Sequence, residues 1–157
     1  MLIGLPLLAA DFVTKRLVEA ALEPHRTYEV VGDVLRLRLV YNRGAAMGIP
    51  VGDARWLMAG VSIVVLAALA VMLGRTAPSR RRTVTALAVL LAGAVGNLID
   101  RLTNPLGVVD FIDAGIGATR FWTFNVADAC VTAGVLLLLL FPDRAPPPAA
   151  VPPGPQG

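Results

Sequence analysis

The stretch Trp56–Leu73, WLMAGVSIVVLAALAVML, runs for 18 residues without a charged side chain. A helix rises about 1.5 Å per residue and the hydrocarbon core of a bilayer is about 30 Å thick, so a membrane span takes roughly 20 residues. With its flanking residues this stretch is long enough to cross a membrane. Over the whole chain, 56% of residues are hydrophobic and only 16% are charged, against about a quarter charged in a typical soluble domain. The composition therefore favours a membrane protein.

Three further apolar segments surround this one, at residues 2–22, about 84–99 and about 126–141. The sequence therefore predicts an all-α membrane protein with four transmembrane helices. The first segment lacks the basic start and small-residue cleavage site of a signal peptide, which favours a retained helix. Only ten residues precede Asp11, so either this helix is short on its inner side or the natural start lies upstream of Met1.

The loops between these segments differ in charge. Residues 74–82 carry four arginines and no acid. The positive-inside rule places this short loop in the cytoplasm. Alternation of the spans then predicts that both termini are cytoplasmic, and that the loops at residues 23–55 and 100–123 lie on the outer side.

Two segments outside the apolar runs have a distinct character. Leucine alternates with arginine in Val34–Val40, and a period of two predicts a strand with one apolar and one basic face. We expect a small extracytoplasmic β-strand cradle here, in the first outer loop, lying against the membrane surface. Residues 142–157 hold seven of the twelve prolines and are predicted to form a disordered cytoplasmic tail. Residues 1–141 then form one four-helix membrane domain.

The inventory of reactive side chains excludes several classes of site. The net charge is +3, but the one tight arginine cluster lies between two apolar runs, so we expect no nucleic-acid partner. The chain has one cysteine, Cys130, interpreted as a buried structural thiol, and one histidine, His25. A disulfide needs a second cysteine, and a zinc site or a serine–histidine pair needs ligands and partners that are missing. We expect no metal and no cofactor.

Four aspartates lie in or beside the apolar segments: Asp11, Asp100, Asp110 and Asp128. A charge at the centre of a span costs about 3 kcal/mol on insertion scales, so such residues usually have a function. The predicted topology places all four near the outer face, although they are far apart in sequence. Polar residues near these aspartates also recur at helical spacing, in the pairs Asp11 with Lys15, Asn97 with Arg101, and Asn125 with Asp128.

Each of these features has a structural interpretation when taken alone. Asp11 and Lys15 can form a helix salt bridge, Gly93–Gly96 can form a packing face, and Asp128 can interact with a helix dipole. Together they favour a functional site. Two aspartates held close together share one proton, so one can activate a water while the other polarises a carbonyl. Asp110 and Asp128, on the two arms of the second outer loop, fit that arrangement.

Five short motifs carry a resemblance to a known family. They are DFVTK at 11–15, NRGAAMG at 42–48, GNLIDR at 96–101, VVDF at 108–111 and FNVAD at 124–128. In this order, with four apolar segments among them, they resemble the motifs of the lipoprotein signal peptidase family, also called signal peptidase II. Met47 replaces the phenylalanine usual in the second motif.

The resemblance implies an aspartic endopeptidase of the bacterial cytoplasmic membrane. Such an enzyme removes the signal peptide of a diacylglyceryl-modified prolipoprotein and cuts before the lipidated cysteine. The family positions imply that Asp110 and Asp128 are catalytic and that the enzyme is a monomer that contacts membrane lipid. The resemblance also implies a supporting or substrate-binding set, which comprises Asn42, Gly44, Asn97, Asp100, Arg101, Asn125, Asp11 and Lys15.

Two other functions use the same residue types. A small transporter or ion-conducting subunit would use Asp110, Asp128 and Arg101 as a proton or cation site, and it predicts acids along a pathway to both faces. The cytoplasmic half of the predicted spans contains no such acid, apart from Asp11. A structural scaffold would use the polar residues for contacts between helices. Under this alternative, replacing these residues lowers the stability of the protein and has no other effect.

Overall fold

The computed structural model describes residues 3–44 and 55–143, and the structural statements below concern these ranges. The predicted tail beyond Asp143 and motif residues 45–48 lie outside them. The helices are α1 (Gly4–Ala21), α2 (Arg55–Arg75), α3 (Arg81–Thr103) and α4 (Val126–Leu140). Each overlaps one of the four predicted apolar segments.

Two helices of the described ranges, α2 and α3, are long and apolar enough to cross a membrane. The 15-residue α4 is apolar but shorter, and the 18-residue α1 carries two buried charged residues, Asp11 and Lys15. The surface of α2 is that of a lipid-facing helix, because Ala59 is its only buried residue and apolar side chains such as Val64 are largely exposed. The arrangement with four spans stays a prediction.

The central helix is α3, which contacts each of the other three helices. Its contact with α4 depends on two glycines. A Cβ added to Gly93 would lie 2.3 Å from the backbone oxygen of Ala127, and one added to Gly134 would lie 2.5 Å from Cγ of Leu90. Glycine at these two positions therefore lets the two helices approach closely, as small residues do in membrane bundles.

Four antiparallel strands form one sheet at the end of the bundle, in the order β1 to β4. They are β1 (Thr27–Val31), β2 (Leu35–Asn42), β3 (Val108–Ile116) and β4 (Thr119–Arg120). The predicted strand is β2. The side chain of Leu39 is buried against Val109 and Phe111 in a core that also includes Val18 of α1. The other seven residues of β2 are half-buried, so the burial of the strand does not alternate as the sequence pattern predicted.

The prediction that the strands belong to the first outer loop was too narrow. Strands β3 and β4 come from the second loop, and β3 pairs with β2 along most of its length. In this register Val40 lies opposite Asp110, and Asn42 lies opposite Val108. The pairing of the two loops therefore brings the second motif beside the fourth.

Candidate active site

A pocket of about 450 Å³ lies where α2, α3 and α4 meet the sheet. Both Asp110 and Asp128 line it, although they come from a strand and a helix. The other lining residues are Asn42, Gly44, Met58, Arg101, Trp122, Thr123, Val131 and Thr132. Two carboxylates from different elements thus face one cavity large enough for a peptide segment and water.

Asp110 is held inside β3 with only 3% of its surface exposed. Its carboxylate accepts hydrogen bonds from Nδ2 of Asn125 at 2.7 Å and from Nδ2 of Asn42 at 3.1 Å. Burial, followed by the negative charge of Asp128, raises the pKa of Asp110 to about 7, against the smaller opposing effect of the two amides. Asp110 therefore carries a proton in a large fraction of molecules at neutral pH.

Asp128 is fixed at the start of α4 by a capping box. The backbone N–H of Asp128 donates to Oδ1 of Asn125 at 2.9 Å, and the backbone N–H of Asn125 donates to Oδ2 of Asp128 at 3.3 Å. Asparagine at the N-cap and an acid three residues later are the residue types that this arrangement favours. The other oxygen, Oδ1 of Asp128, accepts from Nδ2 of Asn97 at 2.7 Å.

The two asparagines Asn97 and Asn125 are oriented by their own partners. Oδ1 of Asn97 accepts from Nδ2 of Asn125 at 3.0 Å and from Nζ of Lys15 at 3.2 Å. Because only the amide oxygen can accept, the amide nitrogen of Asn97 must face Asp128. The amide nitrogen of Asn125 in turn faces Asp110. Each carboxylate of the pair therefore has a side-chain amide donor in a fixed orientation.

Lys15 lies behind the pocket and is almost fully buried. Its ammonium contacts Oδ2 of Asp11 at 2.8 Å and Oδ2 of Asp100 at 2.9 Å. Asp11 also accepts from the backbone N–H of Ala127 at 2.8 Å, and Asp100 accepts from that of Val109 at 3.2 Å. These three charged residues connect α1, α3, α4 and β3, and none of them lines the pocket. Their position fits the structural role expected for Asp11 and Lys15.

Arg101 lines the pocket from α3, close enough to Asp110 and Asp128 for electrostatic attraction. Its Nη1 donates to the hydroxyl of Ser62 on α2 at 3.4 Å. Ser62 and the lining residue Thr132 were not predicted as site residues from the sequence. The sequence contains a signal for both residues, since Ser62 interrupts an apolar span and Thr132 lies one helical turn after Asp128. The lining residues Met58 and Trp122 carried no such signal.

The segment that follows β2 is shaped by Asn42. Its Oδ1 accepts from the backbone N–H of Gly44 at 3.0 Å, while its Nδ2 donates to Asp110. Gly44 has φ +132° and also lines the pocket. The side chain of Asn42 thus links the wall of the pocket to one carboxylate of the pair.

We expect Gly107→Ala to impair the site through Asn42. Gly107 has φ +116°, and a Cβ there would lie 2.5 Å from the backbone oxygen of Asn42. Relief of this overlap must move the end of β2, so we expect about 10-fold lower kcat/KM for the reaction at this site and a loss of about 1–3 kcal/mol in stability.

The matched control is Gly117→Ala. Gly117 also has positive φ, +56°, but no atom lies within 4 Å of its added Cβ. This variant should lose stability from backbone strain with kcat/KM unchanged. Equal activity of the two variants in a cleavage assay, with thermal unfolding measured in parallel, would show that Asn42 is not positioned through Gly107.

Comparison with solved structures first defines the class of protein. A bacterial membrane enzyme solved by the in meso method at 2.3 Å superposes with a TM-score of 0.80 and 34% identity, covering 88% of this chain and 84% of that chain. A second, solved at 1.9 Å, gives a TM-score of 0.78 and 34% identity, covering 88% of both chains. The chain thus has the fold of a bacterial membrane enzyme.

The sequence relatives define the family. The family model described as Signal peptidase (SPase) II matches residues 3–142. A lipoprotein signal peptidase of Geobacillus kaustophilus is 38% identical over 130 residues, 83% of each chain. One of Ectopseudomonas mendocina is 39% identical over 145 residues, 89% of this chain and 85% of that one. The chain therefore belongs to the signal peptidase II family of membrane proteases, as its five motifs predicted.

Proposed function

We propose that this protein removes the signal peptide from diacylglyceryl-modified bacterial prolipoproteins, cutting before the lipidated cysteine, with Asp110 and Asp128 as the catalytic pair. Its relatives carry the name lipoprotein signal peptidase, which supports the substrate class. The observation that carries the residue assignment is the shared pocket. Both carboxylates line it, each with an oriented amide donor, and Asp110 has a pKa near neutrality.

The pair divides the chemistry as follows. Protonated Asp110 donates a hydrogen bond to the scissile carbonyl oxygen, while ionised Asp128 accepts a proton from water. The resulting hydroxide attacks the carbonyl carbon, and the proton of Asp110 passes to the oxygen of the tetrahedral intermediate. Return of that proton to Asp110 and transfer of the other to the leaving nitrogen then break the C–N bond. The guanidinium of Arg101 faces the same pocket and stabilises the negative charge shared by the site.

The proposed membrane arrangement has four spans, with α1 and α4 added to α2 and α3. The charged residues of α1 are compatible with this, because Asp11 and Lys15 are buried while the outward side chains Leu5, Val13 and Leu17 are apolar and exposed. By the positive-inside rule, the arginine-rich loop supports a proposed orientation with both termini in the cytoplasm and the pocket near the outer face. A lipid-anchored substrate presents its cleavage site at that level. Residues 1–141 form the proposed monomeric peptidase domain.

The transporter alternative requires acids along a path to both faces. In residues 3–44 and 55–143, the buried acids are Asp11, Asp100, Asp110 and Asp113. The first two contact Lys15 directly behind the pocket, and the third lines it. This concentration at one end of the bundle supports a hydrolytic site.

Cleavage of matched substrates tests the proposed function. The purified protein in lipid vesicles is given a prolipoprotein with its diacylglyceryl-modified cysteine and the same prolipoprotein with an unmodified cysteine. We expect mass spectrometry to show one cut, before the cysteine, in the modified substrate alone. Equal cleavage of both substrates would contradict the proposed specificity, and cleavage of neither would contradict the proposed activity.

We expect the rate of cleavage to fall as pH rises above about 7. Because Asp110 must hold its proton and its pKa is about 7, the active fraction is high below this pH. Above it, kcat/KM should fall about 10-fold per pH unit. This falling limb of the pH–rate profile reports an apparent pKa of the pair. Removal of the amide that lowers the pKa, in Asn42→Ala, should move the limb to higher pH.

Thr132→Val is the control for the pH profile. Thr132 lines the pocket but is not among the groups that shift the pKa of Asp110. Its variant should therefore keep the limb at the wild-type pH. A limb that stays in place in Asn42→Ala, or a profile without a fall between pH 7 and 9, would contradict the assignment of the proton to Asp110.

A further inference from the structure

A second groove lies at the opposite end of the bundle, between the start of α3 and the end of α4. Its volume is about 400 Å³, and its walls are Arg81, Arg82, Thr85, Leu137 and Phe141. Arg82 precedes Asn97 of the active site by 15 residues of one helix, which is about 22 Å. The groove is therefore separate from the catalytic pocket.

The groove has an excess of positive charge. The short loop between α2 and α3, together with the adjoining helix ends, contributes Arg75, Arg80, Arg81 and Arg82. Among the described residues, none of these four arginines forms an ion pair. The nearby acid is Asp143, and the chain beyond it contains no further acidic side chain.

Asp143 already has a different set of partners. Its carboxylate accepts hydrogen bonds from the backbone N–H of Arg82 at 3.2 Å and from that of Thr83 at 3.1 Å. It thereby satisfies two of the free N–H groups at the start of α3 and joins this helix to the segment after α4. The carboxylate also attracts the charge of Arg82, but within the described ranges it forms no ion pair with Arg81 or Arg82, so both guanidinium groups can bind another anion.

The other walls of the groove are apolar. They are Leu137, near the end of α4, and Phe141, the residue that follows the helix. A ligand that matches both parts carries a negative charge next to a hydrocarbon chain. An anionic phospholipid has this chemistry, since arginine binds phosphate oxygens in a bidentate manner and the acyl chain packs on apolar side chains.

We propose that this groove binds an anionic phospholipid, with the phosphate between Arg81 and Arg82 and the first acyl carbons on Leu137 and Phe141. The anionic lipids of the cytoplasmic leaflet supply the ligand where the arginine loop faces the cytoplasm. That choice of leaflet depends on the orientation given under the proposed function, whereas lipid binding itself does not. The bound lipid joins α3 to α4 at the end remote from the catalytic pair.

Binding is measured with phosphatidylglycerol as the probe. The wild-type protein in a zwitterionic detergent is titrated with phosphatidylglycerol or phosphatidylcholine, and native mass spectrometry counts the lipids retained. We expect one phosphatidylglycerol to bind at concentrations at which phosphatidylcholine does not. The variant Arg81→Gln/Arg82→Gln should raise the Kd for this lipid roughly 10- to 30-fold. Glycerol phosphate, which lacks acyl chains, should not displace it at equal concentration.

The matched control is Arg75→Gln/Arg80→Gln, which removes the same charge from the same loop but does not alter the groove walls. We expect its Kd to change less than threefold. Equal weakening in both double variants would overturn the proposal in favour of diffuse attraction, and equal retention of both lipids by the wild type would overturn it directly. Signal-peptide cleavage in phosphatidylcholine should be the same in the wild type and in both double variants. A failure of lipid binding thus leaves the proposed function standing.

Discussion

Asp128→Asn should abolish signal-peptide release, with kcat at least about 1,000-fold below that of the wild type. Asparagine has the same shape as aspartate but cannot accept a proton from the attacking water, and general base catalysis contributes about 100- to 10,000-fold. Asp110→Asn should cause a similar loss because the amide cannot pass a proton to the carbonyl oxygen. The measurement is single-turnover cleavage of a diacylglyceryl-modified prolipoprotein by each purified variant.

Asp113→Asn is the matched control for this loss. Asp113 lies on the same strand as Asp110 and is also buried, but its carboxylate accepts from Nε of Arg120 at 3.0 Å and does not line the pocket. We expect it to retain activity within about threefold. Cleavage at the wild-type rate by folded Asp128→Asn would show that Asp128 is not the base.

The same variants separate a peptidase from a structural scaffold. In a scaffold, Asp110→Asn lowers the free energy of unfolding and has no other consequence. In a peptidase, the neutral amide removes a buried carboxylate whose charge is unfavourable, so the variant should be at least as stable as the wild type while it is inactive. Thermal unfolding in detergent, measured beside cleavage, distinguishes the two outcomes.

The helices were predictable because apolar runs long enough to span a membrane leave few alternatives. The prediction was least accurate for α3, which begins at Arg81 instead of Val84 and ends at Thr103 instead of Ile99. The apolar segment ends at Ile99 because the charged residues Asp100 and Arg101 follow it. The helix continues because these polar side chains find partners inside the protein, which hydropathy does not register.

The sheet was only partly predictable. Alternation in β2 revealed a strand, but β3 begins with four consecutive buried residues, Val108–Phe111, and so has no period of two at its start. Its pairing with β2 joins positions far apart in sequence. The motif resemblance could name Asn42 and Asp110 as site residues without showing that the sheet register brings their side chains within 3.1 Å.

The contacts within the site were also only partly predictable. Spacing placed Asn125 and Asp128 together, and the structure gives the reason as a capping box. The sequence also predicted the contact between Lys15 and Asp11, because the two residues are four apart on one helix. The contact of Asp100 with the same ammonium was not predictable, since it depends on how α1 packs against α3. The contact has a large consequence for stability.

Lys15→Met should destabilise the protein by about 3–5 kcal/mol, the range observed when one partner of a buried ion pair is removed. Methionine has a similar volume, so the loss comes from charge and hydrogen bonds. Asp11 and Asp100 would remain buried with no cation between them, and Oδ1 of Asn97 would lose a donor. We expect thermal unfolding in detergent at a much lower temperature.

Arg16→Gln is the control, because it removes the adjacent positive charge from a side chain that is 44% exposed and lies 3.5 Å from Asp100. Its cost should be below about 1 kcal/mol, as for other exposed ion pairs. The double variant Asp11→Asn/Lys15→Met supplies the decisive comparison. If uncompensated negative charge causes the loss, this variant must be more stable than Lys15→Met alone, because it removes one of the two buried carboxylates. If it is less stable, the ammonium acts mainly through packing and hydrogen bonds, and the ionic account of this cluster is wrong.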